Sequence, residues 1–225
     1  MIYSIYKQQF FKLRLYRKSL LISQVMVLIM ILTSIAGVIG NTLNFLTVYV
    51  LTFDRYTLGL FYFPISILII STNLNYRTVD YFLIGTRKVL YHQVIAQVVF
   101  VQLMIWTPWL VLTMLIYGFG GMIVSPAALV VVLLSAVEVY FNQVLLSIVC
   151  LIVYFVTQNR IAGMIAAVSI NLTFFLLFMN KMIVPFWRFA IPSAPIDKLL
   201  NCLVLISTLY LVMGILGVII KNKDY

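Results

Sequence analysis

The chain has 225 residues, of which 64% are hydrophobic and only 9% are charged, and its mean hydropathy is +1.15. Soluble domains carry about 25% charged residues, so this composition excludes an ordinary soluble fold and predicts that lipid surrounds most of the chain. The formal net charge of +10 does not indicate nucleic-acid binding, because the basic residues lie between apolar runs rather than on a soluble basic domain.

The first 18 residues predict a helix that lies on the membrane surface. At helical spacing, Tyr3, Tyr6 and Phe10 share an apolar side, and basic residues share a neighbouring stripe. Such a helix places its apolar face in the bilayer and its basic face toward lipid phosphates. The alternative is a basic topogenic flank without defined structure. The predicted membrane-surface residues are Lys7, Phe10, Lys12, Arg14, Arg17 and Lys18.

Six apolar runs follow, each close to the length of about 20 residues that crosses a bilayer. The second run is short, and we expect its helix either to begin before Phe53 or to be completed by flanking aromatic residues. Together the runs predict an all-α, polytopic membrane protein. The predicted spans are 20–39, 57–71, 94–117, 127–156, 161–178 and 199–220.

The flanking basic residues predict a multi-pass protein of the cell membrane with both termini in the cytoplasm. Eleven of the fifteen Lys and Arg residues lie on one side of the predicted topology, and the more basic side is normally cytoplasmic. An even number of spans agrees with this orientation. The four basic residues on the outer side are Arg55, Lys181, Arg188 and Lys198.

A charged loop, 73–93, separates the second and third spans and contains a short amphipathic stretch at Asp80–Val89. A membrane protein that keeps such a stretch in the cytoplasm is expected to contact a partner there. The basic pair Arg87 and Lys88 would meet acidic groups of that partner or, alternatively, lipid head groups.

The polar residues inside the spans are the next candidates for function. Glu138 is an acidic residue deep within a span, where a carboxylate costs about 2.5–3.5 kcal/mol and should face the bundle interior, a cavity or a partner. Ser135, Glu138 and Asn142 form one polar stripe at helical spacing. One interpretation is a substrate pathway for a cationic or amphipathic peptide, or a proton relay. The other is a protonated Glu138 hydrogen-bonded to a neighbouring helix.

Other polar side chains within the spans are expected to hydrogen-bond between helices. They are Gln97, Gln102, Ser169 and Asn171. The outer loop at 180–198 is apolar and contains three prolines and Trp187, so we expect it to lie on or dip into the outer leaflet.

The sequence contains no G-x-x-x-x-G-K-[ST] phosphate-binding motif, no H-E-x-x-H motif and no C-x-x-C pair. We therefore predict no catalytic residue and no metal site in this chain, and any ATP and Mg²⁺ would be held by another polypeptide. Cys150 and Cys202 lie inside apolar runs and are expected to be buried free thiols.

Taken together, these features resemble the permease subunit of type-2 ABC exporters. The resemblance covers the basic N-terminal segment, the six spans, the charged loop after the second span and the proline-containing excursion before the last span. Its most specific piece is RTVDYFLIGTRKVLYHQVIAQ, in which an acidic residue, a glycine and a basic pair precede the third span. With its small size and low fraction of charged residues, the chain resembles peptide or bacteriocin export and immunity permeases of Gram-positive bacteria.

The resemblance implies a transport subunit that is not itself an enzyme, driven by cytoplasmic ATPase subunits and paired with a second permease copy or homologue. It also implies that residues 3–17 form a connecting helix along the inner leaflet. The coupling helix at Asp80–Val89 would dock into the ATPase, and its implied contact residues are Asp80, Tyr81, Phe82, Leu83, Ile84, Gly85, Arg87 and Lys88.

Three alternatives to a permease are open on the sequence. A non-transporting accessory or sensor membrane protein would have no nucleotide-dependent partner. A membrane-embedded enzyme acting on lipids would need clustered carboxylates or histidines, whereas this chain offers one deeply placed glutamate and one histidine. A secondary transporter would show inverted repeats, and the two halves of the sequence show no convincing similarity.

Overall fold

The computed structural model of the chain describes residues 44–73, 87–119, 126–182 and 184–222, together with Leu21, Val25 and Ile29. Within these residues the regular elements are all helical, and five helices are long and apolar enough to cross a membrane. The prediction of an all-α, multi-pass membrane chain is therefore confirmed at this level. Almost all of the first predicted span, and all of the membrane-surface residues, lie outside the described residues.

We label the five helices α1 to α5 in chain order. A 3₁₀ turn at Pro185–Ala190 lies between α4 and α5. Helices α2 to α5 correspond to the third to sixth predicted spans, and their ends differ from the predicted ends by at most seven residues. Their bounds are Phe45–Thr72 for α1, Arg87–Phe119 for α2, Pro126–Thr157 for α3, Arg160–Met179 for α4 and Pro195–Asn222 for α5.

Helix α1 begins well before the predicted second span at 57–71. Its first segment, Phe45–Thr52, is helical and replaces much of the loop predicted there. The helix is interrupted near Asp54, whose carboxylate accepts a hydrogen bond from the Thr57 N–H at 2.8 Å and so caps the next turn. Asp54 and Arg55 made it hard to predict that α1 continues through this position, because charged residues usually mark the end of a span.

A π-helical turn at Leu58–Tyr62 precedes Pro64 within α1. The Phe63 N–H donates to the Leu58 carbonyl, so the next donor in this pattern would be residue 64, and proline has no N–H. The Gly59 carbonyl is left without a helical donor, and Asn171 Nδ2 of α4 donates to it at 2.7 Å. Pro64 thus produces a π turn whose free carbonyl joins α1 to α4.

Helix α2 begins at Arg87, so residues 87–93 of the predicted charged loop belong to a membrane-length helix. This corrects the predicted boundary, and the reason is that no Gly or Pro lies between Arg87 and Val94 to end the helix. Arg87 donates a hydrogen bond to the carbonyl of Lys221, which places the start of α2 beside the end of α5. The predicted coupling residues Asp80 to Gly85 lie outside the described residues.

Helix α3 is the central element of the bundle. It packs against all four other helices and against the 3₁₀ turn. In its most apolar stretch 67% of the residues are buried, against 17% in α5. The exposed side chains of α5 are largely apolar, including Leu203, Leu211 and Val218, which suits contact with lipid rather than water.

Replacing Gly163 with alanine is expected to destabilise the bundle by about 1–3 kcal/mol, because the added methyl group overpacks the contact between α3 and α4. A Cβ atom at Gly163 would lie 2.6 Å from the carbonyl oxygen of Cys150 and 3.3 Å from its Sγ. Thermal unfolding in detergent micelles measures the effect. Gly214→Ala is the matched control, since a Cβ there meets no described atom within 4 Å. Equal melting temperatures for the two variants would contradict this contact.

Candidate functional site

A buried ion pair joins α3 to the first turn of α5. Lys198 Nζ lies 3.2 Å from Glu138 Oε2, and both side chains are fully buried. Asn201, one turn further along α5, donates from Nδ2 to Glu138 Oε1 at 2.9 Å. Buried charges are tolerated when they are paired and their remaining hydrogen-bonding capacity is met, and both carboxylate oxygens of Glu138 have a partner here.

The same two residues of α5 hold the segment between α4 and α5, residues 184–191, which we call the excursion. Lys198 Nζ donates to the Arg188 carbonyl at 2.6 Å, and Asn201 Nδ2 donates to the Pro185 carbonyl at 3.0 Å. A short 3₁₀ turn leaves carbonyls without helical donors, and inside an apolar bundle these groups need protein partners. Lys198 and Asn201 therefore bind Glu138 and two carbonyls of the excursion at the same time.

The other two members of the predicted stripe on α3 are also linked to the excursion, Asn142 directly and Ser135 through Tyr49. Asn142 Nδ2 donates to the Phe186 carbonyl at 2.6 Å. Tyr49 Oη of α1 donates to the Phe189 carbonyl at 2.7 Å and shares a 2.7 Å hydrogen bond with Ser135 Oγ. Four carbonyls of the excursion are thus held by side chains from α1, α3 and α5.

The structure brings the predicted residues Ser135, Glu138 and Asn142 together on one face of α3, and the excursion covers that face. None of the three is more than 2% exposed. The alternative was a protonated Glu138 hydrogen-bonded to a neighbouring helix. The contacts show such a hydrogen bond, from Asn201 of α5, and they place Lys198 beside the carboxylate as a counter-charge. The substrate-pathway interpretation stays a prediction, and it requires the excursion to move away from α3.

Three residues of this cluster were missed from the sequence: Tyr49, Lys198 and Asn201. The prediction placed Lys198 in an outer loop, although a carboxylate deep in a span calls for a partner and few cations were available on that side. Lys198 and Asn201 also follow helical i, i+3 spacing, a pattern that would have linked them to one face. Tyr49 carried no such signal, because it lies outside the predicted span at 57–71.

A second buried polar network connects α1, α2 and α3. Gln102 Nε2 donates to Ser147 Oγ at 2.5 Å, and Gln143 Nε2 donates to Gln102 Oε1. Tyr62 Oη donates to Gln143 Oε1 at 3.1 Å. The prediction that Gln102 and Asn171 hydrogen-bond between helices is confirmed by these contacts and by the bond from Asn171 to α1.

The excursion also forms one wall of an open groove with a volume of about 730 Å³, which we call the basic groove. Three of the four cations predicted on the outer side line it, and the fourth, Lys198, is in the neighbouring ion pair. Its remaining lining is mostly apolar, with one acidic residue. The lining residues are Arg55, Phe178, Met179, Lys181, Met182, Val184, Arg188, Ile191, Ser193 and Asp197.

The opposite end of the bundle carries the described part of the predicted coupling site. Arg87 and Lys88 are exposed in the first turn of α2. Within the described ranges, no group of three or more His, Cys, Asp and Glu side chains is placed to hold a metal ion. Cys150 and Cys202 are buried and free.

No protein-family model, curated protein or solved structure matches the chain. The described residues form a multi-pass helical bundle with a buried ion pair, an inserted excursion and a basic groove. A more specific function is therefore a matter of proposal.

Proposed function

We propose that the chain is the transmembrane permease subunit of an ATP-driven ABC exporter, which moves an amphipathic peptide or a similar lipophilic substrate out of the cell. Separate cytoplasmic ATPase subunits would bind ATP and Mg²⁺, because the sequence has no phosphate-binding loop of its own. A second permease copy or homologue would complete the transport path. Both termini would face the cytoplasm.

The excursion before the last span is the observation that carries this proposal. It has the place in the chain and the apolar, proline-containing composition that the resemblance implies, and it folds into the bundle with Trp187 and Phe189 buried. Its carbonyls are held by side chains of three helices, among them Tyr49 and Lys198. A movement of any one of these helices would therefore displace the excursion, as transport across the bundle requires.

The described contacts also connect the cytoplasmic end to the excursion in this proposal. A force on the Asp80–Val89 stretch would be transmitted to α2 through its first turn, because Arg87 starts a continuous 33-residue helix. Arg87 is hydrogen-bonded to the end of α5, and the start of α5 carries Lys198, which contacts both Glu138 and the excursion. ATP-driven closure of the ATPase subunits would tilt α2 and α5 together and move the excursion away from the polar stripe of α3.

Lys88→Glu is expected to abolish co-purification of an ATPase with the tagged chain in mild detergent, as judged by mass spectrometry of the eluate. Lys88 is exposed in the first turn of α2, and reversing a charge at a docking surface places like charges opposite one another, which suppresses association. Lys88 is a cleaner test than Arg87, whose substitution would also remove the hydrogen bond to Lys221.

Lys181→Glu is the control for this experiment, because it makes the same change of charge at the opposite end of the bundle, beside the basic groove. It should leave ATPase recovery unchanged. Equal recovery of the ATPase with Lys88→Glu and with the unaltered chain would refute the assignment of Lys88 to the coupling surface.

A non-transporting accessory or sensor membrane protein is the second candidate, and one observation favours it. The polar stripe of α3 is hydrogen-bonded within the bundle, to α1, to α5 and to the excursion. The basic groove, by contrast, is open, as in a protein that binds a ligand without passing it through. This candidate predicts that the unaltered chain purifies without an ATPase under conditions that preserve ABC transporter complexes.

A further inference from the structure

The basic groove gathers positive charge from three separate elements. Arg55 belongs to α1, Lys181 lies in the turn after α4, and Arg188 lies in the 3₁₀ turn of the excursion. Among the described residues none of these three side chains forms a salt bridge. Asp197 is the one acidic residue in the lining, so the groove retains an excess of positive charge.

Both arginine side chains of the groove are partly enclosed, and that of Arg55 is also held by aromatic rings. Arg55 and Arg188 are half-buried, and the Arg55 guanidinium lies 5.3 Å from the ring centroid of Tyr56 and 5.9 Å from that of Phe178. Contacts of this kind fix a guanidinium over an aromatic face. Clustered cations with an unbalanced charge favour an anion between them, and arginine in particular matches the geometry of phosphate oxygens.

The rest of the groove is suited to an apolar ligand part. Phe178, Met179, Met182, Val184 and Ile191 line it, and Met182 and Ile191 are 57% and 46% exposed. A purely ionic ligand would leave this surface uncovered. The combination of cations with exposed apolar side chains matches an amphiphile that carries an anionic head.

The position of the groove favours a lipid over a soluble amphiphile. It lies where α4 ends at Met179 and α5 begins at Pro195, and the ends of apolar spans lie at the level of the lipid head groups, where basic side chains contact phosphates. Its volume of about 730 Å³ falls within the range of small-molecule sites.

We propose that the basic groove binds an anionic phospholipid, with Arg55, Lys181 and Arg188 around the headgroup phosphate and the upper acyl chains along Phe178 and Met182. Asp197 repels a second phosphate and, as an acceptor, suits a headgroup that carries hydroxyls, as in phosphatidylglycerol. This inference goes beyond the proposed transport function and does not depend on an ATPase partner.

Native mass spectrometry of the full chain, titrated with phosphatidylglycerol or phosphatidylcholine in detergent, tests the proposal. Phosphatidylglycerol should bind at least about tenfold more tightly than phosphatidylcholine, and Arg188→Gln should reduce its affinity by about tenfold or more, because a charge-assisted contact is lost. The contact of Arg188 with Lys198 uses the backbone carbonyl, so this substitution leaves it in place.

Lys181→Gly is the second variant and guards against misfolding. Lys181 has a φ of 61°, a left-handed conformation that glycine adopts without strain, so the change removes the charge while suiting the backbone. It should weaken phosphatidylglycerol binding without lowering the melting temperature in phosphatidylcholine. Lys221→Gln, at an exposed cation of the opposite end, is the control and should bind as the unaltered chain does.

Two results would overturn the proposal. One is unchanged phosphatidylglycerol affinity in both groove variants. The other is binding of inorganic phosphate alone with an affinity equal to that of phosphatidylglycerol, which would assign the groove to a free anion. Because neither readout involves ATP or an ATPase, a failure here is distinct from a failure of the transport proposal.

Discussion

Glu138→Ala is expected to destabilise the bundle by about 3–5 kcal/mol. The substitution leaves the Lys198 ammonium, whose side chain is fully buried, without its counter-charge, and an uncompensated buried charge is strongly destabilising. Asn201 also loses its acceptor on α3. Chemical unfolding in detergent, followed by circular dichroism, measures the loss.

The matched control for this prediction removes both charges at once. A double variant, Glu138→Leu with Lys198→Met, should be far less destabilised than Glu138→Ala, because replacing a buried ion pair by apolar residues of similar volume is often close to neutral. The two single changes are not equivalent, because Lys198→Met also removes the donor to the Arg188 carbonyl, whereas Glu138→Ala leaves that donor in place. Equal losses in the single and double variants would show that the pair is not the source of the effect.

A substitution at Glu138 also distinguishes a structural role of this residue from a role in transport. Glu138→Gln preserves the size of the side chain and an acceptor for Asn201 while removing the charge that faces Lys198. If Glu138 acts only by holding Lys198 and Asn201, transport by this variant should fall in proportion to the amount of folded protein. If it belongs to a substrate pathway or proton relay, transport per folded molecule should fall as well.

Trp187→Ala is the second large expected effect, a loss of about 3–5 kcal/mol in the free energy of unfolding, the usual cost of deleting a buried large aromatic side chain. Trp187 is 2% exposed and packs against aromatic rings from α1, α4 and the excursion itself. Its centroid distances are 6.0 Å to Phe63, 5.5 Å to Phe175 and 5.2 Å to Phe189. Thermal unfolding in micelles should show the loss together with greater proteolytic sensitivity in the excursion.

Gly59 provides an independent test of the same packing. A Cβ atom at Gly59 would lie 2.1 Å from Trp187 Cη2, so Gly59→Ala should displace the excursion in the unaltered chain. In a Trp187→Phe background the smaller ring makes room, and the two changes should couple by about 0.5–3 kcal/mol rather than add. Additive effects would mean that the indole does not fill this space. Gly118→Ala, where no described atom lies within 4 Å, controls for alanine in a helix.

The positions of α3 and α4 illustrate how much the sequence predicts. Their observed bounds, Pro126–Thr157 and Arg160–Met179, lie within one residue of the predicted spans, because an uninterrupted apolar run with polar ends has one low-energy arrangement in a membrane. The stripe of Ser135, Glu138 and Asn142 was likewise readable from helical spacing alone. These are local properties, and the chain specifies them residue by residue.

The start of α2 was not predicted, and the early start of α1 was only one of two expectations, for a related reason. In each case the helix continues past the expected membrane boundary and includes charged residues. These are Asp54 and Arg55 in α1, and Arg87 and Lys88 in α2. Hydropathy locates apolar runs, whereas helix continuation depends on capping and on the absence of breakers. The ends of spans next to charges are therefore the weakest part of such a prediction.

By itself, the sequence determined that this chain is a bundle of membrane-length helices with a polar stripe on one of them and an apolar, proline-containing segment before the last. Only the tertiary structure decided what that stripe contacts. The ion pair of Glu138 with Lys198 joins residues 60 positions apart, and the groove brings together Arg55, Lys181 and Arg188 from three elements. Such contacts arise because buried charges and unpaired carbonyls must find partners in the packed bundle, and spacing along one helix cannot identify a partner on another.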